Sequence, residues 1–598
     1  MCGISGILNL QKKSINQKIL IQNIVKFQNR RGPDSSNIWE SECKKVIFGH
    51  NRLSIIELSE KGDQPFISLD QNFVVTYNGE IYNFNELKKQ LISHQIKFKS
   101  NSDTEVIIEA YKFWGLDFLK KLRGMFAFAI WDKKKQKLIL ARDPFGIKPL
   151  YFINQNNVFY FASQIKSLLL IKDIKFNISN SGLLSYYLWG NLPEPLTMYK
   201  EIKTLEKGTC YVIDNLLNIN KVNYANLKNE ILNTNTIEFK KKEDKILYLK
   251  ETIEETVSLH NISDVSRALL LSSGIDSNII LNAMSEKDKF NCSALTLDFN
   301  YTKQYDETEI AKENSKINNV SHLIKTINPE EFRQLIENFY KDMDSPTNDG
   351  FNTYLISYLS KKYNFKVIIS GIGGDELFLS YPSFKAIPRL NQIMKFIPKI
   401  NLIDHFMKNN LYFFLKKNKF RTKLAGIYDY GRDLNSSFML LRSVFLPFEI
   451  REFLSEKELI DANKDINLMK ISMDEISDIK DQRIAIMYLE MKYYLCSKLL
   501  RDADWASMSH SVELRTPFVD WHFFKKILPI VKFNKQFSKS NLLDNFPNEV
   551  TKKLRKRKKT GFMIPHQSFL DELNVKKKYS NPIRDWSLYS LKKYLSLN

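Results

Sequence analysis

The chain has 598 residues and a formal net charge of +22, with 43% hydrophobic and 26% charged residues. This length predicts more than one domain, and the composition is typical of a soluble globular protein and not of a disordered chain. No uncharged apolar run reaches the roughly 18 residues that cross a bilayer, so we expect no membrane partner.

The excess positive charge is spread over the whole length, and only residues 552–559 form a dense basic run. We interpret most of it as a solvated lysine-rich surface and expect no nucleic-acid partner. Nucleic-acid binding stays the alternative that the charge itself raises.

The cysteines and histidines give no sign of a disulfide framework or a metal site. Five cysteines and eight histidines are scattered along the chain, without a C-x-x-C pair or metal-ligand spacing. We therefore expect a reducing location, the cytoplasm.

The most informative position is Cys2, directly after the initiator methionine. If Met1 is removed, Cys2 carries a thiol and a free α-amine, whose ordinary pKa near ~8 leaves part of it neutral at pH 7. The amine can then take the thiol proton, which is the nucleophile-plus-N-terminal-amine arrangement of some hydrolases.

The first half of the sequence predicts many short strands and few helices, and hence a two-sheet, largely antiparallel module. Asn78-Gly79 is typical of a tight turn, Asn85 is a candidate helix cap, and Ser102 or Asp103 is another. The predicted elements are strands at 4–10, 45–49, 73–77, 125–131, 137–141, 151–153 and 158–162, and helices at 15–28, 86–94 and 106–114.

Seven separated segments resemble, in order, the glutaminase domain of class II glutamine amidotransferases, and most closely its asparagine synthetase branch. They are residues 1–7, 31–34, 52–55, 78–80, 102–105, 123–131 and 141–151. The resemblance implies an α+β, Ntn-hydrolase-like αββα domain over residues 2–214 that hydrolyses glutamine.

The resemblance also implies the roles of individual residues. Cys2 would attack the side-chain amide of glutamine, and Asn78 and Gly79 would donate hydrogen bonds to the oxyanion. Arg52 would bind the α-carboxylate and Asp103 the α-amine. The other implied glutamine-binding residues are Leu53, Ser54, Ile55 and Glu80.

Residues 215–245 are rich in asparagine and lysine and contain no motif, so we predict a linker there and a second domain over residues 246–598. Strands and helices then alternate, which predicts a doubly wound parallel sheet followed by a helical C-terminal part. The predicted strands are 267–271, 293–299, 321–324 and 367–369, and the predicted helices include 246–260, 278–284, 307–317, 330–339, 351–362 and 476–500.

Two loops after these strands carry the second set of motifs. A strand, a loop of glycine and hydroxyl residues, and a helix start together direct backbone N–H groups at an anion. Residues 272–277 resemble the S-G-G-x-D-S pyrophosphate loop of ATP pyrophosphatases, with Ser273 in place of the first glycine. Residues 370–378 resemble the loop that forms the second wall of the ATP site in the asparagine synthetase family.

The resemblance implies ATP and Mg²⁺ as cofactors of this half. Asp276 and Asp375 are the implied Mg²⁺ carboxylates. Residues 557–562 resemble the stretch whose lysine stabilises the α-phosphate, which favours Lys559 and leaves its neighbour Lys558 open. The implied ATP-binding residues are Leu271, Ser272, Ser273, Gly274, Asp276, Ser277, Leu295, Ser370 and Gly371.

One position departs from the family pattern. Asparagine synthetases carry a glutamate, assigned to the acyl-adenylate and the incoming ammonia, where this chain has Ile372. Isoleucine can neither ionise nor accept a hydrogen bond, so either another group does this work or the acceptor is not aspartate.

The resemblance to asparagine synthetases implies an ATP-dependent, glutamine-hydrolysing amidotransferase with aspartate as the favoured acceptor. In this interpretation a carboxylate is activated as an acyl-AMP, ammonia attacks it, and AMP and pyrophosphate leave. Two alternatives stay open: amidation of a sugar uronic acid for surface polysaccharides, and a glutaminase without a competent synthetase. A homodimer is an assembly that the sequence leaves open.

Overall fold

The computed structural model describes residues 2–10, 15–299, 307–398, 404–418, 420–465, 475–557 and 565–597. Its first half contains two antiparallel sheets. Their strands are β1 Gly3–Asn9, β2 Ser35–Glu40, β3 Val46–Arg52, β4 Phe66–Ile67, β5 Phe73–Ile81, β6 Gly124–Asp132, β7 Lys137–Arg142, β8 Tyr151–Gln155, β9 Val158–Ala162, β10 Lys203–Thr204, β11 Thr209–Ile213 and β12 Ile219–Asn223.

The two sheets stack face to face with helices on their outer sides. One sheet has the strand order β10-β8-β9-β1-β3-β2, and the other has β12-β11-β7-β6-β5-β4. Helix Ile15–Phe27 covers the first sheet, and helices Phe84–Ser93 and Asp103–Trp114 cover the second. This arrangement confirms the αββα class.

Strand β6 shows why the sequence forms these layers. Phe126, Phe128 and Ile130 point to the helix side of the second sheet. The intervening Ala127 and Ala129 point to the sheet–sheet core, where small side chains let the layers approach. Both faces are apolar because both are covered.

The second half is built on a five-stranded parallel sheet. Its order is β15-β14-β13-β16-β17, and all neighbouring pairs are parallel. Chain order reverses between β13 and β16. The carboxyl ends of these two strands therefore form the switch point at which ligands bind in such sheets. The strands are β13 Arg267–Leu270, β14 Cys292–Phe299, β15 His322–Ile327, β16 Val367–Ile369 and β17 Glu513–Arg515.

Helices surround this sheet and form the C-terminal part, as the sequence predicts. The helix predicted at 476–500 begins only at Gln482. It changes from α to π geometry over Glu490–Leu499 and returns to α geometry over Leu500–Met508. The remaining helices of the described chain are Ile165–Leu168, Asn180–Trp189, Leu227–Asn233, Lys242–His260, Ile275–Ala283, Glu286–Phe290, Glu307–Ile317, Pro329–Asp342, Phe351–Lys362, Gly374–Leu377, Ser383–Lys395, Asp404–Lys417, Ile427–Tyr430, Leu434–Arg442, Pro447–Ile450, Glu456–Asp465, Gln482–Leu489, Leu500–Met508, Trp521–Phe533, Glu549–Lys556, His566–Glu572 and Pro582–Leu597.

The described helices include none that is long and apolar enough to cross a membrane.

Three local predictions differ from the structure. Asn85 lies inside helix Phe84–Ser93, which begins after Asn83, so it is not the cap. Asn78-Gly79 lies inside β5 and not in a turn, because the pairing of β5 with β6 continues through both residues. Within the predicted linker, β12 pairs with β11 and extends the second sheet. The residues of β12 are mostly exposed at the edge of the sheet, so they show no alternation of buried and exposed side chains from which a strand could be predicted.

Candidate active sites

Cys2 stands at the start of β1, the strand paired with both β3 and β9. Its side chain is buried, and burial raises the pKa of the thiol. The Leu53 N–H, which hydrogen-bonds the thiol, and the Arg52 charge act in the opposite direction. These two groups therefore favour the thiolate at a site that otherwise disfavours charge.

Asn78 faces Cys2 with one half of its amide already engaged. The Cys2 backbone nitrogen donates to Asn78 Oδ1 at 2.9 Å. Asn78 Nδ2 is buried and has no hydrogen-bond partner within the described chain. A buried unpaired donor is costly, so Nδ2 is a group that a ligand beside Cys2 could satisfy.

Gly79 follows Asn78 on β5 and is required by the sheet. A Cβ at this position would lie 2.1 Å from the Met125 carbonyl oxygen, so any larger residue would push β5 away from β6. Glycine thus keeps Asn78 and its own backbone in register beside Cys2.

Arg52 is held by the segment that follows it. Its Nη1 donates to the Ser59 carbonyl at 2.9 Å and to Asp63 Oδ1 at 2.8 Å, and its Nη2 donates to the Glu57 carbonyl. These bonds use three of the five guanidinium N–H groups. In the part of the chain that the structure describes, two donors therefore stay available for a carboxylate.

The remaining predicted glutamine-site residues lie around the same strand ends. Asp103 accepts from the Tyr77 hydroxyl at 2.8 Å and the Ile81 N–H at 3.1 Å, so it is attached to β5 on both sides of Asn78. Burial raises the pKa of Asp103. Ser54 N–H donates to an oxygen of Asp34 at 2.7 Å.

Leu53 and Ile55 pack against residues of the second half, Val367 and Met508. Glu80 also faces that half, at 3.3 Å from Arg515 of β17. Hence the loop that carries the predicted glutamine-binding residues is supported by the second domain.

Buried ion pairs join the first site to the second half. Arg31 binds Asp504 through both nitrogens of its fork, at 2.8 and 3.2 Å, and its Nε donates to the Cys2 carbonyl at 3.1 Å. Arg515 of the second half pairs with Glu80 of the first half, and its Nε also donates to Glu513 on the same strand at 2.5 Å. The sequence analysis missed Asp504, Glu513 and Arg515 as parts of this site. Their only signal in the sequence was that residues 501–507 and 511–520, which contain them, resemble C-terminal signatures of the asparagine synthetase family.

The second site lies at the carboxyl edge of the parallel sheet. The loop after β13 is closed by local bonds: Gly274 N–H donates to the Ser272 hydroxyl at 3.1 Å, and Asn278 Nδ2 donates to the carbonyls of both residues. Helix Ile275–Ala283 then begins with Asp276 in its first turn. The N–H groups of the helix start thus lie beside a carboxylate that can hold a cation.

The loop after β16 packs directly on this helix start. A Cβ on Gly371 would lie 2.6 Å from the Asp276 Cβ, and one on Gly374 would lie 2.1 Å from Asp276 Oδ1. Ser370 N–H donates to the Arg515 carbonyl at 2.8 Å. Two glycines therefore let both predicted nucleotide loops converge.

Asp276 and Asp375 face each other across one ammonium group. Lys539 Nζ bonds an oxygen of Asp276 and lies 2.6 Å from Asp375 Oδ1. Two convergent carboxylates held apart by a cation fit a divalent ion with hard oxygen ligands. Lys539 was missed because a lone lysine carries no motif.

The other predicted ATP-site residues are placed as follows. Leu271 and Leu295 adjoin, with Leu271 N–H donating to the Leu295 carbonyl at 3.0 Å. Ser277 Oγ accepts from Ser272 N–H at 3.1 Å, and Ser273 is buried in the same loop. Lys558 and Lys559 lie outside the described residues.

Two family models cover the chain. A glutamine amidotransferase domain model matches residues 1–225, and an asparagine synthase model matches residues 248–590. The chain belongs to the asparagine synthase family. It is therefore a glutamine-hydrolysing, asparagine synthetase-like amidotransferase, a ligase of a family that uses ATP.

Individual relatives span most of the chain. Asparagine synthetase 1 (glutamine-hydrolysing) of Bacillus subtilis is 30% identical over 587 residues, 96% of this chain and 89% of that protein. A putative asparagine synthetase of Methanocaldococcus jannaschii is 33% identical over 67% of this chain and 79% of its own length. Amidase chry2 of Gibberella zeae is 29% identical over 64% of this chain and 60% of its own length.

Proposed function

We propose that this chain transfers ammonia from glutamine to a carboxylate that it activates with ATP. The observation that carries the proposal is the presence of two supported sites in one chain. Cys2 faces a buried unpaired amide donor, and two carboxylates converge where the nucleotide loops meet. Buried ion pairs connect the first site to the second half of the chain.

In the first site, Cys2 would attack the side-chain amide of glutamine; the C–N bond breaks, ammonia leaves, and a thioester of Cys2 is formed. The Leu53 N–H and Arg52 favour the thiolate, and Asn78 Nδ2 would donate to the oxyanion. Arg52 and Asp103 would bind the α-carboxylate and the α-amine. Water then releases glutamate, and ammonia must reach the second site without protonation, since ammonium is not a nucleophile.

In the second site, the loop after β13 and the start of helix Ile275–Ala283 would bind the phosphates of ATP. Asp276 and Asp375 would hold Mg²⁺, which when bound neutralises charge on the phosphates during α-phosphoryl transfer. Lys539 would stay close by, because both carboxylates bond it. The roles of Lys558 and Lys559 at the α-phosphate rest on the sequence resemblance alone.

Aspartate is the first acceptor to test, because the names of the relatives point to it. A sugar acid is the second candidate, favoured by one observation. Ile372 is partly buried and packs against the core beside the nucleotide loops, where the family glutamate would stand. Glu376 is four residues after Ile372 in the chain, and burial raises the pKa of its carboxyl group to about 7.

The test separates the halves by mutation. Cys2→Ala should abolish amide formation from glutamine and keep amide formation from ammonia. Asp276→Ala should abolish amide formation from either nitrogen source and keep glutamine hydrolysis. Amide formation, glutamate release and pyrophosphate release are measured on the same preparations. Glutamine-dependent amide formation by Cys2→Ala would refute the proposal for the first half.

A further inference from the structure

Residues 383–427 of the second half expose an unusual number of large apolar side chains. Of the 29 large apolar residues that are exposed in the described chain, nine fall in this segment. Single exposed apolar residues are normal, but such a concentration marks an interaction site. Five of the nine are isoleucines and leucines, and the other four are Phe396, Phe413, Phe414 and Phe420, with exposed fractions of 89%, 64%, 58% and 56%. We call these four the phenylalanine surface.

The two long helices of this segment are joined through residues 429–432. Asp429 pairs with Lys408 of helix Asp404–Lys417 at 2.7 Å. Arg432 donates to the Ile397 carbonyl, which follows the preceding helix, at 3.0 Å. The exposed side chains therefore lie on neighbouring elements of one region.

Phe413 and Phe414 lie on the solvent side of their helix because of its period. Tyr412 and Leu415 are buried and define the side that packs on the protein. At 3.6 residues per turn, Phe413, Phe414 and Lys417 fall on the opposite side. Two aromatic rings and a cation thus share the solvent face of one helix.

The segment is also strongly basic. Residues 383–427 contain ten lysines and arginines but only one acidic residue, Asp404. The cations alternate with apolar residues, so they form no dense run in the sequence. Five of them are exposed and have no carboxylate of the described chain within 4.0 Å; they are Lys385, Arg389, Lys395, Lys417 and Arg421.

Two carboxylates of neighbouring elements are already paired. Asp429 pairs with Lys408, and Glu452 pairs with Lys416. These pairs use two of the ten cations and leave the five exposed ones unchanged. The phenylalanine surface therefore lies in a region with an excess of exposed positive charge.

We propose that the phenylalanine surface docks on an anionic lipid membrane. Exposed lysines and arginines attract the anionic headgroups, and apolar side chains beside them enter the boundary between the headgroups and the acyl chains. The prediction of no membrane partner was based on the lack of a spanning run, which docking in the plane of the interface does not need. The inference goes beyond the amidotransferase reaction and does not depend on it.

Two other occupants fit this surface less well. A second copy related by two-fold symmetry would place the same basic region against itself, and like charges across an interface repel. A single-stranded nucleic acid would bind the cations, but its bases stack on aromatic rings. Aliphatic residues such as Ile393, Leu411 and Leu424 are exposed in the same segment, and they suit lipid and not bases.

Co-sedimentation of the full chain with vesicles tests the inference. The vesicles contain phosphatidylcholine alone or an equal mixture of phosphatidylcholine and phosphatidylglycerol, each at low and at high salt. At low salt we expect at least about tenfold tighter binding to the mixed vesicles, and we expect high salt to weaken it. The double variant Phe413→Ser/Phe414→Ser should weaken binding to the mixed vesicles at least about tenfold.

The double variant Phe27→Ser/Phe290→Ser is the matched control. It also removes two exposed phenylalanines, but both lie outside residues 383–427, so its affinity for the vesicles should equal that of the parent chain. Lys417→Gln/Arg421→Gln should weaken binding to the mixed vesicles at least about tenfold. Because all of these side chains are exposed, the thermal midpoint and glutamate release of each variant should match the parent chain.

Equal vesicle affinity of the parent chain and Phe413→Ser/Phe414→Ser would overturn the inference, and so would equal binding to both kinds of vesicle. Two other results without vesicle binding would also overturn it. One is a dimer in analytical ultracentrifugation that Phe413→Ser/Phe414→Ser abolishes, and the other is oligonucleotide binding that Lys417→Gln/Arg421→Gln abolishes. The vesicle assay uses neither ATP nor glutamine, so its failure would leave the proposed function intact.

Discussion

Asp504 lies in the second half of the chain, yet we expect its substitution to damage the first site. Its carboxylate binds the Arg31 guanidinium at 2.8 and 3.2 Å and lies 3.8 Å from Lys148 Nζ. All three side chains are at most 2% exposed. Asp504→Asn would leave two buried cations without a carboxylate, whereas Arg31→Met leaves Asp504 with Lys148.

Breaking a buried pair by removing one partner costs about 3–5 kcal/mol. We place Arg31→Met at the lower end, about 3 kcal/mol, and Asp504→Asn at the upper end, about 5 kcal/mol, because two cations lose their partner. Arg30→Met is the matched control, since Arg30 is 68% exposed in its pair with Asp342. An exposed pair contributes about 0–1 kcal/mol.

The assay combines the apparent thermal midpoint with glutamate release. A chain of two domains need not unfold in one step, so the order of the midpoints is the result to compare. We expect Arg30→Met to match the parent chain, Arg31→Met to fall below it, and Asp504→Asn to fall furthest. Glutamate release should drop in the last two, because Arg31 Nε bonds the Cys2 carbonyl. An Asp504→Asn midpoint equal to that of Arg30→Met would refute this reasoning.

Four further outcomes follow from single contacts. Asn78→Asp keeps the acceptor for Cys2 N–H and loses the Nδ2 donor, so kcat for glutamine hydrolysis should fall about 10²–10³-fold; an unchanged rate would exclude Nδ2 as an oxyanion donor. Lys539→Met leaves two facing carboxylates without their cation and should lower the thermal midpoint by an amount equivalent to about 1–3 kcal/mol, with loss of pyrophosphate release. Gly374→Ala would place a Cβ 2.1 Å from Asp276 Oδ1 and should reduce pyrophosphate release while glutamate release continues. Burial lowers the pKa of His50 from its ordinary 6.5 to about 3. Between these values the unfolded chain binds a proton that the folded chain does not, so the stability of the folded chain falls as the pH drops below 6.5, by about 2 kcal/mol at pH 5. His50→Gln should therefore lose less of its thermal midpoint than the parent chain over the same drop in pH.

The fold could be predicted wherever the pattern of apolar residues along the sequence is enough to identify a helix or a strand. Helices Glu307–Ile317 and Phe351–Lys362 have the predicted bounds because their apolar residues repeat with the helical period. Strand Val367–Ile369 has them because it is a short continuous apolar run, which is typical of a buried parallel strand. Strand β17 was not predicted. Its Glu513 and Arg515 look like surface residues in the sequence. Their burial in a sheet is compensated by the ion pair between them, by Glu80 beside Arg515 and by hydrogen bonds from Arg515 to the His260 and Ile262 carbonyls.

The candidate sites could be predicted as motifs but not as contacts. Cys2, Asn78 and Asp276 stand out because their neighbours form recognisable patterns. Asp504 and Lys539 act through partners hundreds of residues away, and the local sequence does not reveal those partners. The Asn78-Gly79 pair shows the converse error, because a local turn preference lost to the long-range pairing of β5 with β6.

The central claim is that both sites serve one reaction, and isotope transfer tests it most directly. The full chain is incubated with ATP, Mg²⁺, amide-¹⁵N-labelled glutamine and, in separate reactions, aspartate or a sugar acid, and pyrophosphate and ¹⁵N-amide are measured together. We expect one acid to give pyrophosphate and ¹⁵N-amide in equal amounts. Glutamate release with no pyrophosphate for any acid, or pyrophosphate without ¹⁵N-amide, would contradict the claim.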